Sequence, residues 1–447
     1  MNSVHHQNSV GQWIERRLPL MRFLRGGSIG RHPTPRNLSF WWNLGWISGF
    51  VLLIQIVTGT LIASYYTPDV DGAFGSTTRL IREVNYGWLL HTIHANGASM
   101  LFIAMYVHLF RSVYYGSYKN PREILWWLGL VILLLMMATV FLGHILPWGQ
   151  VSFWAAAVGI TNVFAALPPL GEAIAAWLWN GFTVENPSLN RFYLLHVVLT
   201  FIALGFVVLH LWALRTSKPN NPLGVTLSRP EDYVPFHPYY TAKDLLALSL
   251  FILFFAYWVF FDPNTLGSYR LNYLPANSLK TAPHMLPEWF FHGQPASLPD
   301  TRPAIVPKWY FLPFVMILKA IPNKLLASMV MYGAILVLFA LPWLDRSEIR
   351  SGRFRAIYKY LFWFIFVDVI VLGWAGSQPA QGTALLIGRI ATAYYFVHFL
   401  IILPLTSKLE WPKRLIESAE YPEMEGDDTP EPKLDVKGLF TKKRKAL

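Results

Sequence analysis

The sequence predicts an all-α integral membrane protein of eight transmembrane helices, arranged as two four-helix halves. Three observations predict it. Only 14% of the 447 residues are charged and 54% are hydrophobic, whereas a soluble chain carries about 25% charged residues. The mean hydropathy is +0.36. Eight apolar stretches approach the ~20 residues that a spanning helix needs: 40–63, 88–110, 124–146, 190–214, 244–261, 322–343, 358–375 and 386–406.

The chain starts with a polar, Arg-rich segment, 1–39, in which no short apolar core precedes a cleavage site, so no removable signal peptide is expected. With this segment inside, most of the 37 Lys and Arg residues fall in inside segments. The positive-inside rule therefore favours both termini in the cytoplasm. That topology accounts for the net charge of +12 better than nucleic acid does, because the cations form no single folded patch. Two outside loops are long, near 147–189 and 262–321, and are rich in Pro, Trp and Gly. The first holds a short helical stretch from Val151 to Ala157. Loops of that length in a compact protein are commonly functional. A break near 216–240 separates the halves, and the charged tail 411–447 reads as solvated. The chain has no cysteine, which excludes disulfides, thiolate metal sites and covalent haem attachment through C-x-x-C-H.

Four of the 13 histidines lie inside two predicted spans: His94 and His108, then His196 and His210. Each pair is 14 residues apart. On a helix that is about 3.9 turns and about 21 Å, so both rings of a pair face nearly the same way. A lone intramembrane His is usually a hydrogen-bonded core residue. Two pairs at one spacing, on facing helices, make two His–His clamps, the ligation of two six-coordinate haems. Gly45 and Gly59 on the first span, and Gly129 and Gly143 on the third, repeat the spacing. Glycine admits close approach of another group, so two helices present ligands and two leave room for flat macrocycles in a four-helix bundle. The plainer reading of these glycines is helix–helix packing.

HANGAS at 94–99, YYGSY at 114–118, LPWGQVSFW at 146–154, PFHPYYTAKD at 235–244 and IPNKL at 321–325 resemble motifs of the cytochrome b family of quinol-oxidising bc1 complexes (complex III). The resemblance runs in order from Trp41 to Pro404, and the long termini look bacterial. It implies a haem-binding N-terminal domain over 40–225 and a C-terminal domain over 226–410 with the outer loop 262–321. It implies two non-covalent haem b groups, one on His94 and His196 near the outer face, the other on His108 and His210 near the inner face. Arg111 would meet a haem propionate, and Pro147, Trp148 and Gly149 would border an outer quinol pocket. Asn220, Lys243 and Asp244 would lie at an inner quinone pocket, where Asp244 supplies protons. The mechanism implied is the Q cycle with ubiquinol and ubiquinone, in a homodimer embedded in the bacterial inner membrane. A Rieske iron–sulfur protein and cytochrome c1 would be partners, and nucleic acid would not.

The sequence departs from that pattern in four places. The family usually has Pro-Glu-Trp-Tyr before Phe-Leu-Pro-Phe, but here Pro307-Lys308-Trp309-Tyr310 precedes Phe311. Twenty residues earlier stands Pro287-Glu288-Trp289-Phe290, so an insertion of about that length is expected. Either Glu288 takes the proton-accepting role, beside Tyr310, or Lys308 fills the family position and another group carries the proton. His91 stands where an Arg commonly reaches a propionate. His144 stands where a Tyr is usual beside the quinol loop. Arg215 stands where a His commonly contacts the inner quinone. Three other readings compete: a shorter di-haem anchor subunit, a proton-coupled transporter with a His relay, and a non-catalytic scaffold. The PWGQ loop, the absence of an internal repeat and the four intact histidines respectively argue against them.

Overall fold

The structure is a computed structural model, and it describes residues 32–160, 171–181, 183–227, 229–267, 274–277 and 307–410. Eight of its helices are long and apolar enough to cross a membrane: Phe40–Ala63, Gly87–Tyr114, Glu123–Ile145, Asn186–Ser217, Phe236–Phe260, Lys324–Leu344, Tyr358–Ser377 and Gly382–Leu409. All eight expected spans are therefore present, and their differences are at the ends. The fourth begins earlier because ENPSLN is a helix start rather than a loop. Glu185 and Ser188 form a reciprocal capping box there, with Pro at the first turn. The fifth begins at Phe236 with a kink at His237, whose φ/ψ of −96°/132° is non-helical; the residue before a proline is disfavoured in the α region. The eighth contains a wider π segment at His398–Ile402. Pro404 has no N–H to return to the preceding turn, so the backbone loosens there.

In the first half, the first span packs along the second and the third along the fourth. The second half packs its last two spans around a short helix, Leu312–Ala320. This helix lies inside the region read as the outer loop 262–321, and its nine residues are too few to signal a span. It ends in buried Lys319, which donates to the carbonyls of Gly376 (2.7 Å) and Gln378 (2.9 Å) and so caps the seventh span. Burial pushes that ammonium down to about 8.

A short sheet and a buried ion-pair cluster are among the contacts that join the halves. Pro33–Pro35 pairs antiparallel with Tyr233–Pro235, fastening the chain before the first span to the chain before the fifth. Between the second and third spans, Tyr118 and Lys119 reach buried Asp345 at the end of the sixth span. Arg355 joins Asp345 to Glu410 at the end of the eighth.

Candidate haem and quinone sites

The helix pairs set each glycine against one imidazole. A Cβ at Gly59 would lie 3.0 Å from Cε1 of His94, and one at Gly143 would lie 2.7 Å from Cε1 of His196. One level away, Gly45 faces His108 at 3.1 Å and Gly129 faces His210 at 3.3 Å. The levels follow from antiparallel neighbours: 14 residues down one helix matches 14 up the next. At the first level the His94 and His196 ring centres are 6.3 Å apart, with the planes at 75°. Nδ1 of His196 meets the Thr139 carbonyl at 2.7 Å, and Nδ1 of His94 meets the Thr58 hydroxyl at 2.9 Å. Such partners hold a ring so that Nε2 keeps its lone pair for another group.

At the second level Nη2 of Arg111 donates to Nδ1 of His108 at 3.2 Å, and the guanidinium sits 4.8 Å over the Trp42 ring. Its Nε is buried with no hydrogen-bond partner among the described residues. Half-buried His91 lies one turn before His94 on the same helix.

The loop after the third span contains the first candidate quinone residues. Pro147 ends the helical run, and Trp148 turns in the left-handed region (φ 53°) with its indole buried. Gly149 bridges Pro275, Gln150 N–H donates to the Leu274 carbonyl at 3.1 Å, and Ala276 N–H donates to the Trp148 carbonyl at 3.1 Å. The loop is thus strapped by residues far along the chain, Leu274 to Ala276. His144 Nε2 and the Tyr310 hydroxyl share a hydrogen bond of 2.7 Å. Tyr310 is stacked on Phe102 at 4.2 Å, and its carbonyl accepts from the Tyr106 hydroxyl at 2.6 Å. Lys308, two residues earlier, is buried and donates to the Gly267 carbonyl. Burial pushes its ammonium down to about 8. Glu288 lies outside the described residues.

On the other side, adjacent Trp42 and Asn43 tie together the second set. Trp42 Nε1 donates to the Asn220 carbonyl at 3.0 Å, and Asn43 Nδ2 donates to the Lys243 carbonyl at 3.0 Å. Asn220 is buried, its amide donating to the Tyr115 carbonyl at 2.7 Å. The Lys243 ammonium donates to the Leu38 carbonyl at 2.5 Å and lies 4.7 Å from the Phe40 ring centre. It therefore anchors the entry to the first span. Asp244 follows it, half-buried. Arg215 is exposed at the end of the fourth span. Its neighbour is His32; burial, then Arg215 and Lys218, hold that imidazole below its usual value.

Two family models match the chain: Cytochrome b/b6/petB over residues 29–218, and Cytochrome b(C-terminal)/b6/petD over 295–396. Cytochrome b of Rickettsia bellii (strain RML369-C) is 50% identical over 410 residues, covering 92% of this chain and 96% of that protein. This chain belongs to the cytochrome b family. Cytochrome b of Rhodospirillum rubrum is 49% identical over 415 residues, covering 93% of this chain and 97% of that protein. A chain of a hyperthermophilic respiratory Complex III superposes with a TM-score of 0.79 at 30% identity, covering 90% of this chain and 99% of its own.

Membership of the cytochrome b family implies haem b, and the first-level residues fit it. Two metal–imidazole bonds of about 2.0–2.1 Å, with two ring radii added, come to about 6–6.5 Å, and the His94–His196 centres stand 6.3 Å apart. The donors are imidazoles and the walls beside them are glycine. At the second level, a metal on Nε2 of His108 would put the ring hydrogen on Nδ1. Arg111 would then be released towards an anion, for which its unpartnered Nε is suited. Thr58, Thr139 and Trp42 carry no signal in the sequence. Thr58 precedes Gly59, and Thr139 lies one turn before Gly143, but only the rotation of one helix against the next makes either a partner of a histidine.

Proposed function

We propose that this cytochrome b is the electron-transfer subunit of a respiratory bc1 complex in a bacterial inner membrane, with both termini cytoplasmic. It oxidises ubiquinol at an outer site and reduces quinone at an inner site, and one electron crosses between them in a Q cycle coupled to proton translocation. The observation that carries this is the two-level set of His–Gly contacts, Gly59–His94 with Gly143–His196 and Gly45–His108 with Gly129–His210. The reading takes two non-covalent haem b groups per chain. Bound at these levels, haem iron supplies a one-electron couple in each half of the bilayer.

The chain's own residues do the rest. Thr58 and Thr139 orient the first-level rings. His91 and Arg111 serve the anionic edges of the macrocycles. Pro147, Trp148 and Gly149 border the outer pocket, where Glu288 takes the family carboxylate's role and His144 and Tyr310 hold a proton between Nε2 and hydroxyl. Asp244 gives a proton at the inner pocket, which Asn220, Lys243 and Arg215 border. An electron moving inward does work against the membrane potential, about 2.3 kcal/mol per 100 mV, so the outer level must lie at lower potential than the inner. The second electron of quinol leaves to a Rieske iron–sulfur protein and then cytochrome c1, in a dimer of such complexes.

The test is a reduced-minus-oxidised spectrum with haem quantitation on the purified complex. Two b haems per chain are expected, with one band lost on replacing His94 or His196 and the other on replacing His108 or His210. A folded, inserted chain without haem would sink the reading. Separately, His144→Tyr is expected to shift the pH profile of quinol oxidation, since a phenol replaces the imidazole that shares a hydrogen bond with the Tyr310 hydroxyl. An unaltered profile removes His144 from the proton path.

A further inference from the structure

After the fifth span the chain makes one short helix, Pro263–Leu266, and turns at Gly267. A helix end leaves carbonyls with no partner of their own. Three side chains take these. Asn96 Nδ2 donates to the Pro263 carbonyl at 3.0 Å, Ser99 Oγ to the Leu266 carbonyl at 2.8 Å, and Lys308 Nζ to the Gly267 carbonyl. Trp309 Nε1 donates to Ser99 Oγ at 3.3 Å and closes the set. Asn96 and Ser99 stand on the second span, just past His94, and all three donors other than Trp309 are buried. Gly267 is needed for the fit, since a Cβ there would lie 2.7 Å from Asn96 Nδ2.

We propose that Lys308 is a positioning residue of the outer quinol site: it locks the turn 263–267, which Asn96 and Ser99 hold on the helix that bears His94, to the segment that carries Tyr310, and it is not the site's proton acceptor. The proposal rests on the outer-site reading above. A carbonyl only accepts, and an ammonium only donates. The glutamate usual at this position has no hydrogen to give when ionised, and it would meet the Gly267 carbonyl oxygen with a charge of the wrong sign. Lys308 also starts the turn that delivers Tyr310 to His144, so the lock and the Tyr310–His144 bond share a backbone. Restoring the family's residue at this one position therefore damages the site.

The experiment compares Lys308→Glu, Lys308→Arg and Gly267→Ala in the intact, membrane-embedded complex, reading quinol turnover and amide hydrogen exchange over 262–267. Lys308→Glu is expected to lower turnover by about tenfold or more, the loss for one charged hydrogen bond, and to speed exchange. Lys308→Arg should keep both within about twofold, as a donor of the same charge. Gly267→Ala should speed exchange with Lys308 intact. Turnover in Lys308→Glu that equals or exceeds the unaltered complex, or exchange that does not change, overturns the proposal. Absence of quinol oxidation in the unaltered complex overturns the outer-site reading instead, and exchange still reads the lock.

Discussion

Replacing Gly143 with valine is expected to empty the proposed haem site between His94 and His196 while the proposed site between His108 and His210 stays filled. The Cβ alone would lie 2.7 Å from Cε1 of His196 and 3.0 Å from its Nδ1. Real Cβ contacts are not that short, so ring or backbone must move. The backbone is held, because the third and fourth spans pack along their lengths. The ring is held too, by the Thr139 carbonyl at 2.7 Å. Overpacking of this kind costs about 1–3 kcal/mol, which is roughly tenfold to a hundredfold in retention of a non-covalent group. The valine methyls add to that cost. Gly129→Ala is the milder partner experiment, since its Cβ would stand 3.3 Å from Cε1 of His210. The reduced-minus-oxidised spectrum checks both: one b band lost for the valine, two kept for the alanine. Two full bands at unchanged potentials in Gly143→Val would show that the glycine does no more than pack helices.

The second large effect is on stability. Asp345→Ala is expected to cost about 3–5 kcal/mol, the range for removing one partner of a buried ion pair. Asp345 Oδ2 takes Arg355 Nη1 at 2.8 Å, Lys119 Nζ at 2.9 Å and the Tyr118 hydroxyl. Its Oδ1 takes Ser407 Oγ at 3.0 Å. Without the carboxylate, two cations are left in a water-poor joint between the halves, and Glu410 can compensate only Arg355, at 2.6 Å from its Nε. Burial by itself raises the Asp345 carboxyl, but Lys119 and Arg355 outweigh it and hold the group below the usual carboxylate range. The stabilisation from a depressed acid is present above its unfolded pKa near 4 and is lost as pH falls through the lower folded value. Thermal unfolding of the detergent-solubilised protein, followed by haem absorbance, should show a large loss in Asp345→Ala at neutral pH. That difference should shrink in strong acid. Equal melting of the two proteins at pH 7 would mean that the joint is held by apolar packing alone.

The eight spans were legible in the sequence because hydrocarbon imposes one demand on a crossing segment: enough apolar length with every backbone group bonded within the helix. The His and Gly ladder was legible for a related reason. A 14-residue spacing returns to the same helical face, so periodicity alone aligns His94 with His108 and Gly45 with Gly59. Loops carry no period, and the structure differs from expectation there. The start of the fifth span at Phe236 and the helix Leu312–Ala320 depend on proline placement and on burial against the seventh span. The pairing of Gly149 with Pro275 joins segments that share no local signal.

By itself, then, the sequence determined the class, the number of spans and which four histidines share two levels, since these follow from composition and helical period. Tertiary structure alone decided which glycine faces which imidazole, that His144 meets Tyr310, and that Lys308 donates to the Gly267 carbonyl. Those are contacts between segments far apart in the chain. They depend on how one helix is rotated against another, and an ångström of approach or a few tens of degrees of rotation has no counterpart in residue spacing.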